Sequence, residues 1–206
     1  MKRLGFLVAL AFAFVSFVGV CKADFADINT ELQRRSLLAE CARAPKIGAM
    51  VKQHCVGLAN VEGVTNRVYT GEAITFDPVV KLGSTTLTKS THYTQTFTNN
   101  TNVGKATVKL SATGAGGYFG SLTKAFEITP YPLSDSMVSN ITAQAYTGSA
   151  IKPYPSVVFN GSLLSTNTDY TVSWENNVEK GSNAVVVVTG KGNFGGVARK
   201  KFTITQ

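Results

Sequence analysis

Two patterns of hydrophobic positions divide the chain. Residues 24–60 carry Ile28, Leu32 and Ala39 at near-helical spacing, which predicts two short helices. From Val61 onward the chain is rich in Thr, Val, Gly and Asn, and hydrophobic positions alternate with polar ones. Such alternation is typical of short β-strands joined by turns. We therefore predict a mainly β protein preceded by a short helical hairpin.

The clearest strands lie near the end of the sequence. Residues 170–174 alternate and run into an Asn-Asn turn, and residues 184–189 form an apolar run suited to a strand covered on both faces. Residues 197–204 supply a closing strand. Alternation puts Tyr170, Val172 and Trp174 on one face, and we predict that the core of this region is organised around Trp174.

The β-rich pattern occurs twice. Tyr69-Thr70-Gly71 returns 77 residues later as Tyr146-Thr147-Gly148. The same spacing relates four more pairs: Ile74 with Ile151, Pro78 with Pro155, Leu87 with Leu164, and Tyr93 with Tyr170. By Phe126 and Phe202 the spacing is 76, and we place the one-residue deletion before the Thr-Gly pairs, in a turn or bulge. The repeats span residues 61–129 and 138–206, and a proline-containing linker, 130–137, joins them in an extended path.

These repeated motifs resemble the bacterial immunoglobulin-like repeats of secreted and surface-attached proteins. The resemblance is carried by Tyr-Thr-Gly, the run from Asp169 to Asn177, the glycine-rich residues 189–196 and a final Phe-Thr-Ile. The first copy departs from it at His92, which stands where the second has Asp169. The resemblance implies two tandem β-sandwich modules used as spacers, stalks or adhesive units, and it implies no reaction.

The N-terminal residues have the pattern of a secretory signal peptide. A basic start, an apolar run to Val20 and the small Ala23 predict a leader over residues 1–23 and an extracellular or cell-surface protein. A retained leader would instead span a membrane. Cys21 leaves open lipidation, although the preceding Val20 departs from the Gly, Ala or Ser that bacterial lipoproteins carry. Membrane contact is expected only in these two cases.

Without the leader the chain holds two cysteines, Cys41 and Cys55. An even count in an oxidising compartment predicts one disulfide. Closing a loop of about 15 residues stabilises a fold by roughly 3 kcal/mol. The alternative is a metal site that includes His54, but these three side chains leave tetrahedral zinc one ligand short, so we expect no metal.

The net charge does not indicate nucleic-acid binding. The chain has a formal charge of +8. Three of its 20 basic residues lie in the leader, which leaves 17 basic against 12 acidic residues, or +5. Arg34-Arg35 and Arg199-Lys200-Lys201 are the densest basic runs, and neither forms a nucleic-acid patch. A mild attraction to anionic envelope polysaccharide is compatible with this charge.

No enzymatic or cofactor motif emerges. His54 and His92 are the candidate bases for nucleophilic catalysis, and His92 lies at a variable turn position. The acidic residues form no pair at a shared repeat position. The glycines at 114–117 are followed by no helical pattern, which favours a turn over a phosphate loop. We predict no catalytic residues and no cofactor.

Aromatic residues that do not recur between repeats are the candidate ligand contacts. Most rings recur at matched positions, as core residues do, whereas Tyr118, Phe119 and Tyr154 do not and lie beside Gly or Pro. Two function hypotheses follow. The first is a non-enzymatic extracellular structural or adhesive module that contacts other surface proteins. The alternative is a carbohydrate-binding envelope protein that uses loop aromatics.

Three Asn-x-Ser/Thr triplets, at Asn99, Asn140 and Asn160, are common by chance in so Asn- and Thr-rich a chain.

Overall fold

The computed structural model describes residues 53–206, which are mainly in β-strands. The predicted fold class is thereby confirmed at this level. No helix in this range reaches seven residues. Residues 53–54 are α-helical, and 3-10 helices span Val56–Leu58, Ala115–Gly117 and Asp135–Met137. None of the helices in residues 53–206 is long and apolar enough to cross a membrane.

Several predictions fall on residues outside the described range. The leader at 1–23 with Cys21, and Cys41, all lie there, as does most of the segment 24–60. The helical hairpin therefore stays a prediction. The described end of that segment contains the short helical turns, and the first strand begins at Asn60.

Five sheets are formed by the strands of the described residues. The strand bounds are β1 Asn60–Glu62, β2 Arg67–Val68, β3 Val79–Leu82, β4 Thr85–Thr86, β5 Tyr93–Thr98, β6 Gly104–Ala112, β7 Ser121–Thr129, β8 Tyr131–Pro132, β9 Gln144–Ala145, β10 Val158–Phe159, β11 Ser162–Leu163, β12 Tyr170–Glu175, β13 Gly181–Gly190, β14 Phe194–Gly195 and β15 Val197–Thr205. Two sheets have four strands, in the orders β2-β7-β6-β5 and β9-β15-β13-β12. The smaller sheets are β1-β3-β4, β10-β11 and β14-β8.

The two four-stranded sheets share one strand order. In each, a two-residue strand pairs in parallel with the last long strand of its repeat, so that Arg67 lies opposite Ile128 and Gln144 opposite Ile204. Arg67 and Gln144 are 77 residues apart, and Ile128 and Ile204 are 76 apart. The spacing read from the sequence therefore holds for these strands.

The middle strands keep a different spacing. Tyr93 lies opposite Ala112, whereas Tyr170 lies opposite Gly190, so β6 and β13 are related by 78 residues. The extra residue falls at a β-bulge between Gly181 and Ala184, and two residues are lost in the turn after the strand. The single deletion expected before the Thr-Gly pairs is therefore wrong. Since 76 and 78 have the same parity, both alignments turn the same side chains inward.

The chain forms two compact units. Unit 1 comprises residues 53–65, 75–100 and 105–126 of the described part, and unit 2 comprises residues 66–74, 101–104 and 127–206. The core of unit 1 consists of Val56, Ala59, Val80, Leu82, Leu87, Tyr93, Val108 and Leu110. The core of unit 2 consists of Leu133, Val138, Val157, Tyr170, Ala184, Val186, Val188, Phe194, Ala198, Phe202 and Ile204.

The segment 130–137, predicted as a linker, lies within unit 2. It contains β8, which pairs in parallel with β14, and the buried Leu133. The neighbouring β13 is buried on both faces from Ala184 to Val188, as predicted from its apolar run. Every second residue of this run packs into the core, while Val185 and Val187 cover the opposite face.

Candidate functional site

Trp174 lies at the border of the core of unit 2 and not at its centre. The fully buried side chains are smaller ones such as Val157, Val186 and Val188. Tyr170, Val172 and Trp174 do share the core-facing side, but β12 is an edge strand and Trp174 is only half-buried near its end. The prediction that Trp174 organises this core is therefore wrong. Alternation indicates which face of the sheet a side chain occupies, but it does not indicate that the strand lies at the edge of the sheet.

An exposed ring rests on Trp174. The indole Nε1–H of Trp174 donates to the carbonyl oxygen of Pro153 at 2.9 Å, which fixes the ring. Tyr154 packs edge-on against it, with centroids 5.0 Å apart and an interplanar angle of 78°. Tyr154 remains 67% exposed. The ammonium group of Lys152 lies 5.8 Å from the Trp174 centroid. We call Lys152, Tyr154 and Trp174 the aromatic platform.

A cleft of about 640 Å³ lies beside the turn between β12 and β13. It is lined by charged and amide side chains together with two valines: Glu175, Asn176, Asn177, Val178, Glu179, Lys180, Asn183, Val185, Arg199 and Lys201. We call it the polar cleft. The β-bulge of β13 brings Asn183 to its wall, and the Asn183 carbonyl accepts from Asn176 Nδ2 at 3.4 Å. Bulges commonly re-aim side chains at functional sites.

Asn177 links the cleft to the platform. Its backbone carbonyl accepts from the Ile151 N–H at 2.8 Å, and its side-chain Nδ2 donates back to the Ile151 carbonyl at 2.9 Å. These paired bonds hold the segment that carries Lys152 and Tyr154 beside the turn that lines the cleft. The two features form one end of unit 2.

The charges at this end leave ammonium groups available to a ligand. Arg199 pairs with Glu175, whereas Lys180 lies 5.0 Å from the ring centroid of Tyr146. Within residues 53–206, Lys152, Lys180 and Lys201 have no carboxylate partner. Cations on aromatic faces remain open to anions from the solvent side. An anionic ligand is thus favoured over a cationic one.

The matching positions of the first repeat are built differently. Phe97 stands where Trp174 does, and its ring packs edge-on against Phe76, 5.2 Å between centroids. Asp77 stands where Tyr154 does, accepting hydrogen bonds from Lys89 at 2.5 Å and from Gln95 at 2.7 Å. The hydrogen bond from Lys89, and to a smaller extent that from Gln95, holds the pKa of Asp77 below its ordinary value. Unit 1 therefore has an internally bonded carboxylate in place of an exposed ring.

Tyr118 and Phe119, the other predicted ligand contacts, are half-buried in unit 1. The Tyr118 ring lies between His54 and His92, at centroid distances of 5.6 and 5.1 Å, and packs against the core. Phe119 forms an isolated parallel β-bridge with Cys55, in which its N–H donates to the His54 carbonyl at 3.0 Å and its carbonyl accepts from the Val56 N–H at 2.9 Å. Of the three predicted contacts, only Tyr154 is exposed.

His92 has a structural partner. Its Nδ1 accepts the backbone N–H of Thr88 at 2.8 Å. In the second repeat, Asp169 Oδ2 accepts the N–H of Ser165 at the same distance. The position predicted to be variable therefore carries a hydrogen-bond acceptor in both repeats, an imidazole nitrogen in the first and a carboxylate oxygen in the second.

The remaining predicted residues are the cysteines and the asparagines of the Asn-x-Ser/Thr triplets. Cys55 is fully buried, and its predicted partner Cys41 lies outside the described residues, so the disulfide stays a prediction. Asn99, Asn140 and Asn160 are exposed. No group of three or more metal-ligating side chains occurs in residues 53–206.

Comparison with family models, curated proteins and solved structures finds no match for this chain. The resemblance to bacterial immunoglobulin-like repeats therefore stays a prediction from the sequence motifs. Tyr154 is predicted as a ligand contact, whereas Lys152, Lys180 and Lys201 are not. The same signal could have found them, because the first repeat has Thr75, Val103 and Ala125 at these places.

Proposed function

We propose that this chain is a non-enzymatic extracellular protein of two tandem immunoglobulin-like β-sandwich repeats that acts as a structural or adhesive module. The common strand order of the two four-stranded sheets supports the repeat architecture. The predicted leader at residues 1–23 and the disulfide between Cys41 and Cys55 belong to the same proposal. Its partners are other surface proteins or envelope polysaccharide.

The observation that carries the proposal is a shared framework with one divergent surface. The equivalent loop bonds of His92 and Asp169 keep the framework constant. At one end of unit 2, Tyr154 is exposed where the first repeat has Asp77. A constant scaffold with one specialised end suits a module that presents a contact surface to a partner.

The localisation is tested by expressing the full chain with a C-terminal tag in its source cells. We expect the protein in the medium or in the protease-accessible surface fraction, with an N-terminus that follows Ala23. Recovery from the cytoplasm with the leader uncleaved contradicts the proposal. Crosslinking on intact cells then identifies whether the partner is a protein or a polysaccharide.

A second candidate function is carbohydrate binding in the cell envelope. Tyr154 favours it, since exposed rings beside a polar cleft suit sugars, whose C–H faces stack on aromatics while hydroxyl groups form hydrogen bonds. In this case the adhesive contact is itself a glycan. The binding of purified protein to immobilised glycans, lost in a Tyr154→Ala variant, distinguishes this function from a purely structural one.

A further inference from the structure

We propose that the polar cleft and the aromatic platform of unit 2 together bind an acidic polysaccharide, a chain of sugar rings bearing carboxylates. The inference rests on the proposed extracellular function, for which it names the ligand class. It concerns residues of one unit only, all of them between residues 146 and 201.

The platform supplies a stacking surface for a sugar ring. Tyr154 is held by its edge-on contact with Trp174, and Trp174 by its bond to Pro153. The flanking Pro153 and Pro155 restrict the backbone on either side of Tyr154. A ring fixed before binding loses little conformational entropy when a ligand stacks on it. The exposed Tyr154 is therefore a preorganised contact.

The charge around the cleft selects an anion. Lys152, Lys180 and Lys201 contribute three ammonium groups without a carboxylate partner in the described part of the chain. Of the two cleft carboxylates, Glu175 is engaged by Arg199. Glu179 is left to accept sugar hydroxyl groups. The surplus of positive charge attracts a carboxylate-bearing ligand, in a manner that salt screens.

The size of the site indicates a polymer segment. The cleft of about 640 Å³ is open and has room for more than one sugar ring. Asn177 ties it to the platform through the two bonds to Ile151. Trp174 lies on the core-facing side of β12, whereas Glu175 and Lys201 of the cleft lie on the outer side of the sheet. A chain with one ring stacked on Tyr154 therefore reaches the cleft around the turn between β12 and β13, where Asn176 and Asn183 offer amide donors and acceptors.

The first repeat is an internal control for this assignment. At the positions of Lys152 and Tyr154 it has Thr75 and Asp77, and at that of Lys201 it has Ala125. Asp77, which is already engaged by Lys89 and Gln95, offers no stacking surface at the place where unit 2 offers a ring. At the bulge that brings Asn183 to the cleft, β13 contains one residue more than the matching strand β6 of the first repeat. Ring, lysines and bulge thus occur together in one repeat.

The test is isothermal titration of the purified full chain with three polymers. We expect binding of polygalacturonate, at least about tenfold weaker binding of its neutral methyl ester, and weakening by salt. Poly-glutamate carries the charge without the rings and should bind at least about tenfold more weakly. Equal binding of the methyl ester overturns the acidic requirement, and equal binding of poly-glutamate overturns the sugar requirement.

Variants locate the site. Tyr154→Ala should lower the affinity for polygalacturonate by about tenfold, and Lys201→Ala should lower it and reduce its salt dependence. Leu163→Ala, an exposed apolar residue of the same unit, and Lys105→Ala in the first repeat should bind like the wild type. Unchanged affinity in both site variants, with circular dichroism spectra intact, rejects the assignment. Absence of binding to polygalacturonate by the wild type also rejects the assignment. The extracellular location is tested separately, by the fractionation experiment described above.

Discussion

His92 and Asp169 accept equivalent backbone hydrogen bonds, from the N–H groups of Thr88 and Ser165, each at 2.8 Å. Each lies in a loop directly before a long strand that begins with a buried tyrosine. An imidazole nitrogen and a carboxylate oxygen therefore meet one structural need. What the two repeats share is the position of an acceptor, and the identity of the side chain is free to change.

Exchange of these acceptors tests this equivalence. His92→Asp should retain the bond to Thr88, whereas His92→Ala should lose it and destabilise unit 1 by about 1 kcal/mol. Urea unfolding followed by circular dichroism at pH 7 measures both. The account is contradicted by an alanine variant as stable as the wild type, or by an aspartate variant less stable than the alanine one.

The bonds to Asp77 predict acid sensitivity in unit 1. Because the folded-state pKa of Asp77 is lowered, its ionised form contributes stability above the ordinary carboxyl range. This contribution is lost as the pH falls below about 4. Asp77→Asn should lower the urea midpoint at pH 7 and have less effect near pH 2.5. Glu72→Gln, which removes an exposed carboxylate, is the control, and an equal effect of Asp77→Asn at both pH values rejects the prediction.

The half-buried position of Trp174 predicts a graded effect of substitution. Trp174→Phe, which copies Phe97, should cost about 1 kcal/mol through loss of the bond to Pro153. Trp174→Ala should cost about 2 kcal/mol, less than a fully buried tryptophan. Urea unfolding by circular dichroism gives both values. A phenylalanine variant as stable as the wild type would show that the hydrogen bond to Pro153 contributes nothing, and one as unstable as the alanine variant would show that ring packing contributes nothing; either result contradicts the graded effect.

The predicted disulfide has a direct chemical test. Thiol labelling of the secreted, denatured and unreduced protein should modify neither Cys41 nor Cys55, and reduction should expose two thiols. Replacing both by alanine should destabilise the fold by roughly 3 kcal/mol because the unfolded chain gains freedom. Two labelled thiols before reduction contradict the pairing.

The sequence predicts the positions of the strands better than it predicts how the strands of the two repeats align with each other. The alternation from Tyr170 to Trp174 and the apolar run of β13 are both read correctly, because side chains in a strand follow a period of two. The bulge after Gly181 escapes notice because an alignment shifted by two residues leaves every side chain on the same face. Strand pairing, which depends on the partner strand, is needed to detect it.

The candidate site is only partly readable from sequence. Tyr154 is found because it does not recur, but the same criterion also selects Tyr118, whose ring lies between His54 and His92. Exposure depends on tertiary neighbours that no local pattern reveals. The lysines come from three separate segments, and only the fold brings Lys152, Lys180 and Lys201 to one end of unit 2.

The central claim is that this end of unit 2 is the adhesive surface of the protein. The most direct measurement is the retention of fluorescently labelled protein on washed source cells, compared among the wild type, Tyr154→Ala and Leu163→Ala. We predict that the wild type and Leu163→Ala are retained and that Tyr154→Ala is washed off to a large extent. Equal retention of all three proteins would contradict the claim.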